Sequence, residues 1–157
     1  MKRLYLVLIL VICQFSAFAQ KEEDFATRFM ELNSVDYSQM SCNTVSPHMM
    51  ERIMKLDTLN INKNIRNVLS QLKSIQIVQA QGLFVGDSLF NRAVDLAKKN
   101  KKRYKLYATD NNRQIYLRKR NKIIVEMVFI GKTKSVFNMV NLTGNMNDSF
   151  LKELTNM

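Results

Sequence analysis

Apolar residues change their spacing along this chain, and the change divides it into an earlier helical part and a later stranded part. Phe25, Phe29 and Leu32 recur every three or four residues behind Glu22, Glu23 and Asp24, the pattern of a helix with an acidic opening turn. A short extended stretch follows near 41–45. Ser46 then stands as an N-cap with Pro47 at the first helical position, and the helix it opens carries Met49, Met50, Ile53, Met54 and Leu56. Ile61, Ile65, Val68, Leu69 and Leu72 keep helical spacing and predict another helix. Residues 74–80, with Ile75, Ile77 and Val78, read as a strand, and Gly82 and Gly86 bracket a loop. Asp87 or Ser88 is expected to cap a helix running to Lys99, with Leu89, Phe90, Ala93, Val94, Leu96 and Ala97 on its buried side.

From Tyr104 the period becomes two. Tyr104, Leu106 and Ala108 alternate with Lys105, Tyr107 and Thr109. After a turn at Asp110, Asn111 and Asn112, Ile115 and Leu117 alternate with Gln114, Tyr116 and Arg118. The chain turns again near Asn121 into 123–130, and 131–134 lead into 136–142. Four such runs joined by short polar turns predict an antiparallel meander. A closing helix is expected over 147–154, burying Phe150, Leu151 and Leu154. The fold class is therefore α+β: an antiparallel β-meander of about four to six strands with helices packed on one face. One proline, four glycines and no low-complexity linker argue for one unit over 20–157.

The first residues bear on location. Lys2 and Arg3 precede an apolar run from Leu4 to Ile12, and Ala17-Phe18-Ala19 places small residues where a leader peptidase inspects them. That is the layout of a cleavable secretory signal over 1–19, leaving Gln20 as the first mature residue. The run is shorter than the roughly twenty residues of a membrane span, so no transmembrane helix is expected after cleavage. Cys13 suggests a lipidation site, but Ile12 stands where such a signal wants a small residue. The expected destination is periplasmic or extracellular, at a bacterial envelope. Loss of Lys2 and Arg3 lowers the formal charge from +11 to about +9. Cys42 becomes the sole thiol, which excludes a disulfide within the mature chain.

Catalytic chemistry is sparsely supplied. His48 is the only histidine, so nucleophilic catalysis would have to pair it with Cys42, the basis of an envelope-enzyme alternative. Met40, Cys42, His48, Met49, Met50 and Met54 fall close together, and thioether, thiolate and imidazole suit copper(I), which makes Cys42, His48 and Met49 candidate soft-metal ligands. Against this, the methionines follow the helical spacing of core residues. One cysteine and one histidine do not build a structural zinc site. No lysine follows Gly82 and Gly86 as a phosphate loop requires, and Glu126 is the only acid inside a strand, without an evident partner for glycosidase chemistry. No cofactor is expected.

Basic residues carry the clearest functional hint. Lys98, Lys99, Lys101, Lys102, Arg103 and Lys105 crowd the last helix-to-strand junction, and Arg113, Arg118, Lys119, Arg120 and Lys122 mark the first hairpins. Lys98, Lys99, Lys101, Lys102, Arg103, Arg118, Lys119 and Arg120 are the candidate anion-binding set. Tyr104, Tyr107 and Tyr116 are interleaved with them, which in a cytoplasmic protein would suggest RNA. After export, nucleic acid is not the expected partner; an anionic envelope surface, acidic glycan or protein partner is, attracted electrostatically. The competing reading is a solvated face whose cations guard strand edges. Asp57-Thr58-Leu59 and Asp87-Ser88-Leu89 also match short bacterial O-glycosylation triplets, at positions where helix caps are expected.

Three segments in order, Val45-Ser46-Pro47-His48-Met49-Met50, Ile123-Ile124-Val125-Glu126-Met127-Val128 and Val140-Asn141-Leu142-Thr143-Gly144-Asn145-Met146, resemble the small exported bacterial proteins of domain-of-unknown-function family 4252. The resemblance runs over nearly the whole mature chain. It implies a periplasmic or surface-facing protein of a Gram-negative bacterium and supplies no catalytic residues. Members often carry a lipid-attachment leader, from which this leader departs.

Overall fold

A computed structural model of the chain describes residues 23–34, 36, 39–56 and 63–155. The expected leader, the Asp57-Thr58-Leu59 triplet and the start of the helix expected from Ile61 lie outside the described residues. The elements run α1 (Phe25–Asn33), β1 (Ser41–Val45), α2 (Pro47–Lys55), α3 (Lys63–Ser70), β2 (Leu72–Gln81), α4 (Val85–Lys99), β3 (Lys105–Thr109), β4 (Arg113–Arg120), β5 (Ile123–Lys132), β6 (Val136–Met146) and α5 (Asp148–Thr155).

Three helices open on side-chain caps that answer otherwise unpaired N–H groups. Asp24 accepts from Thr27 N at 2.8 Å, Ser46 Oγ from Met49 N at 3.3 Å with Pro47 following, and Asn147 Oδ1 from Phe150 N at 3.1 Å. The start of α4 departs from expectation. It begins at Val85 behind Phe84, which adopts a left-handed φ of 62°, so Gly86 is helical and Asp87 and Ser88 sit in the first turn rather than at the cap. The cause is a close approach: a Cβ on Gly86 would stand 1.9 Å from the Thr133 carbonyl oxygen and 2.8 Å from that of Val136. Only glycine lets the helix start lie against the β5–β6 turn. Asp87, released from capping, pairs with Lys132 Nζ at 2.5 Å.

The six strands are ordered β1-β2-β6-β5-β4-β3, every neighbouring pair antiparallel. β3 to β6 form the expected meander, and β2 and β1 add on beyond β6. The α+β class and the antiparallel sheet thus match the sequence pattern, but the helices occupy both faces rather than one. On the first face, Phe25 and Phe29 of α1 and Leu89, Ala93 and Ala97 of α4 pack over Val78, Val128, Ile130, Phe137 and Met139. On the second, Met50 of α2, Val68 of α3 and Phe150 of α5 pack over Leu72, Leu117, Ile124, Met127, Leu142 and Met146. The reason lies in β5: its near-continuous apolar run, Ile123 to Ile130, supplies side chains to both faces, and each set needs cover.

Cover on the second face is partial. Ile115, Phe129 and Val140 border the second cluster but remain only half-buried. Several residues at core-like spacings are exposed, Leu56 at 49% among them. Leu32 is 60% accessible and Met49 48%, and Leu106 is 53% accessible because β3 is an edge strand exposed at every position. No helix among the described residues is long and apolar enough to cross a membrane.

Candidate anion-binding site

The basic junction is held from beneath by one buried carboxylate. Helix α4 ends at Asn100, whose Nδ2 donates to Leu96 O at 2.8 Å, with Lys98 and Lys99 in the last turn where cations suit the helix dipole. The chain folds back at once: Arg103 N and Tyr104 N both donate to Asn100 O, at 2.8 and 2.9 Å. Tyr104 is buried, its ring edge-on to Phe25 with centroids 5.2 Å apart, and its hydroxyl donates to Glu126 Oε2 at 3.0 Å. Glu126, fully buried, also accepts from Phe25 N at 2.6 Å and from Arg118 Nε at 2.7 Å. One side chain on β5 therefore ties together the start of α1, the α4–β3 junction and β4. Burial, followed by the adjacent Glu126 charge, pushes the Tyr104 hydroxyl well above the usual phenol range, so it stays a donor.

Above this anchor lies a hollow of about 340 Å³ lined by Lys102, Arg103, Lys105, Leu106, Tyr107, Leu117 and Lys119. Arg103 is oriented by its place 5.5 Å over the Tyr104 ring and by donation from Nη2 to the Glu23 carbonyl at 2.7 Å. Lys119 Nζ lies 3.4 Å from Asp148 Oδ1, an exposed pair in which solvent screens most of the attraction. Four cations therefore ring a floor made of Leu106, Tyr107 and Leu117. Such a surface attracts anions and offers them apolar contact beside the charge.

The structure divides the candidate set. It brings Lys102, Arg103 and Lys119 together and adds Lys105. Lys99 lines a different hollow with Arg28, Arg92 and Asp95. Lys98, Lys101 and Arg120 are exposed outside both hollows. Arg118 turns to the first face and is engaged by Glu126. Of the three interleaved tyrosines, Tyr104 and Tyr116 are core residues, Tyr116 donating to Gln114 Oε1 at 2.6 Å, and Tyr107 alone is presented to solvent.

The soft-metal candidates are not assembled. Cys42 packs against the first-face core, with Sγ 3.8 Å from Thr44 Oγ1. His48 and Met49 are exposed on α2, which packs through Met50 against the second face. Among the described residues no group of three or more His, Cys, Asp and Glu stands close enough to hold a metal ion. Sequence reasoning passed over the role of Glu126, although a single acid in an otherwise apolar strand is itself a sign that a charge must be answered across the sheet. No family model, curated protein or solved structure matches the chain.

Proposed function

We propose that this chain is an exported, non-catalytic binding protein that holds an anionic partner at the envelope through the hollow between the α4–β3 junction and β4. The observation that carries the reading is the convergence of Lys102, Arg103 and Lys105 from the junction with Lys119 from β4 around one concavity. The formal charge, +11 for the full chain and about +9 without the expected leader and its Lys2 and Arg3, supports the same reading, as do the leader-like N-terminus and the family resemblance. Attraction of this kind is long-ranged at low salt and fades as the Debye length shrinks, from about 30 Å at 0.01 M salt to about 8 Å at 0.15 M. The purified protein should therefore bind heparin and phosphatidylglycerol vesicles at low salt and release them along a salt gradient. Lys102→Glu/Lys105→Glu, two exposed changes, should elute at clearly lower salt. Failure of the wild type to bind at low salt, or co-elution of the variant with it, overturns the proposal.

A further inference from the structure

Beside the cationic hollow lies an apolar groove that no helix among the described residues covers. Helices α2, α3 and α5 shield the second face over Ile124, Met127, Leu142 and Met146 and stop short of its other end. There a cavity of about 440 Å³ opens, with Ile115, Phe129 and Val140 on its floor and Ala108, Thr109 and Asn138 at its sides. The two concavities adjoin along the chain. Leu117 of the hollow and Ile115 of the groove are alternate residues of β4 packed against the same core cluster, and their β3 partners, Lys105 and Ala108, line the same two concavities. From Lys119 to Ile115 is four residues, about 13 Å of extended strand. The surface thus carries cations at one end and an open apolar floor leading away from them, and its far rim is polar, formed by Asp110 and Arg113 paired at 2.9 Å.

We infer that these two neighbouring concavities, Lys105 and Lys119 of the one and Ile115, Phe129 and Val140 of the other, together form a site for a single fatty-acid anion. The inference rests on the anion-binding reading above and specifies its ligand. Charge complementarity fixes the orientation, with the carboxylate among Lys102, Lys105 and Lys119 and the acyl chain over Leu117 toward Phe129. Covering the half-buried side chains of Ile115, Phe129 and Val140 removes apolar surface from water and supplies the driving force. One chain suits the groove because its floor is a single row of side chains across β4, β5 and β6.

The chain contains no tryptophan, so Phe129→Trp places a sole reporter on the groove floor. Titration of this protein with dodecanoate below its micelle concentration should shift the emission to the blue and saturate at one equivalent. Dodecanol and dodecyltrimethylammonium should bind at least about tenfold more weakly, a difference set by the head group alone. Lys105→Ala/Lys119→Ala should weaken dodecanoate by a similar factor. Ile115→Asn should weaken it while leaving heparin retention as in the wild type. Equal binding of dodecanol and dodecanoate, or no spectral change, overturns the inference. Retention on heparin or vesicles without dodecanoate binding defeats the fatty-acid site and spares the proposed function, and loss of all three defeats both. Vesicle binding that quenches the reporter where monomeric dodecanoate does not would make the partner a bilayer and also overturn the inference.

Discussion

Removing the charge of Glu126 tests the buried tie most directly. Its carboxylate is fully inaccessible, and the Arg118 side chain that answers it is only 11% exposed. Glu126→Gln keeps the shape and an acceptor for Phe25 N but removes the buried charge that Arg118 Nε donates to, and breaking such a buried pair costs about 3–5 kcal/mol. Arg118→Met strands the carboxylate instead, with Phe25 N and Tyr104 as its remaining donors, and should cost a similar amount. The double variant has no unpaired charge. The glutamine oxygen still accepts from Phe25 N, and methionine fills the space of the arginine stem. Its loss should therefore fall short of the summed single losses by about 1–3 kcal/mol of coupling. Urea unfolding of all four proteins, with slopes compared, reads the cycle directly. Additive losses, or single losses below about 1 kcal/mol, would refute the claim that the carboxylate is held as a buried ion pair.

Three further outcomes follow from the geometry. Tyr104→Phe removes a donor to a charged acceptor and should cost about 1.5–3 kcal/mol at neutral pH. Because the folded hydroxyl titrates above the ordinary 10.0, wild-type stability from this group is whole below that value and declines above it by about 1.4 kcal/mol per pH unit. The gap to Tyr104→Phe should therefore narrow between pH 10 and 11, and a constant gap contradicts the assignment. Gly86→Ala forces a methyl against two backbone carbonyls and should lose at least about 2 kcal/mol, whereas Gly131→Ala, where the nearest atom is 3.8 Å away, should lose under about 1 kcal/mol; thermal melts compare them. Ser46→Ala should cost about 1 kcal/mol in the same assay and Ser46→Asp should restore it, since only an acceptor for Met49 N is needed.

Local signals made much of the fold legible. Asp24, Ser46 and Asn147 act within three residues of themselves, and the alternation from Ile115 to Leu142 reports strand geometry residue by residue. What escaped depends on contacts distant in sequence. Helices on both faces follow from which half of each alternating strand meets which helix, a choice that neither the strand nor the helix pattern states. Leu106 alternates as a buried residue would, yet β3 lies at the sheet edge, where nothing among the described residues buries it. Gly86 looked like loop punctuation because the carbonyls that demand it belong to Thr133 and Val136. At the site, the crowding of Lys102, Arg103 and Lys105 was visible as a charge run. The removal of Arg118 from that group was not, because it depends on Glu126 standing opposite in the β4–β5 register.

The bond from Phe25 N to Glu126 spans 101 positions. At about 5–20 residues per second, a ribosome delivers the carboxylate on the order of 5–20 s after the amide. Through that interval α1 has its Asp24 cap but no Glu126 for its first N–H, and the first-face core lacks Val128, Ile130, Phe137 and Met139. β2 likewise waits for β6. Neither end of this molecule can finish folding before the other has been made, so the nascent chain remains open until its final quarter is synthesised.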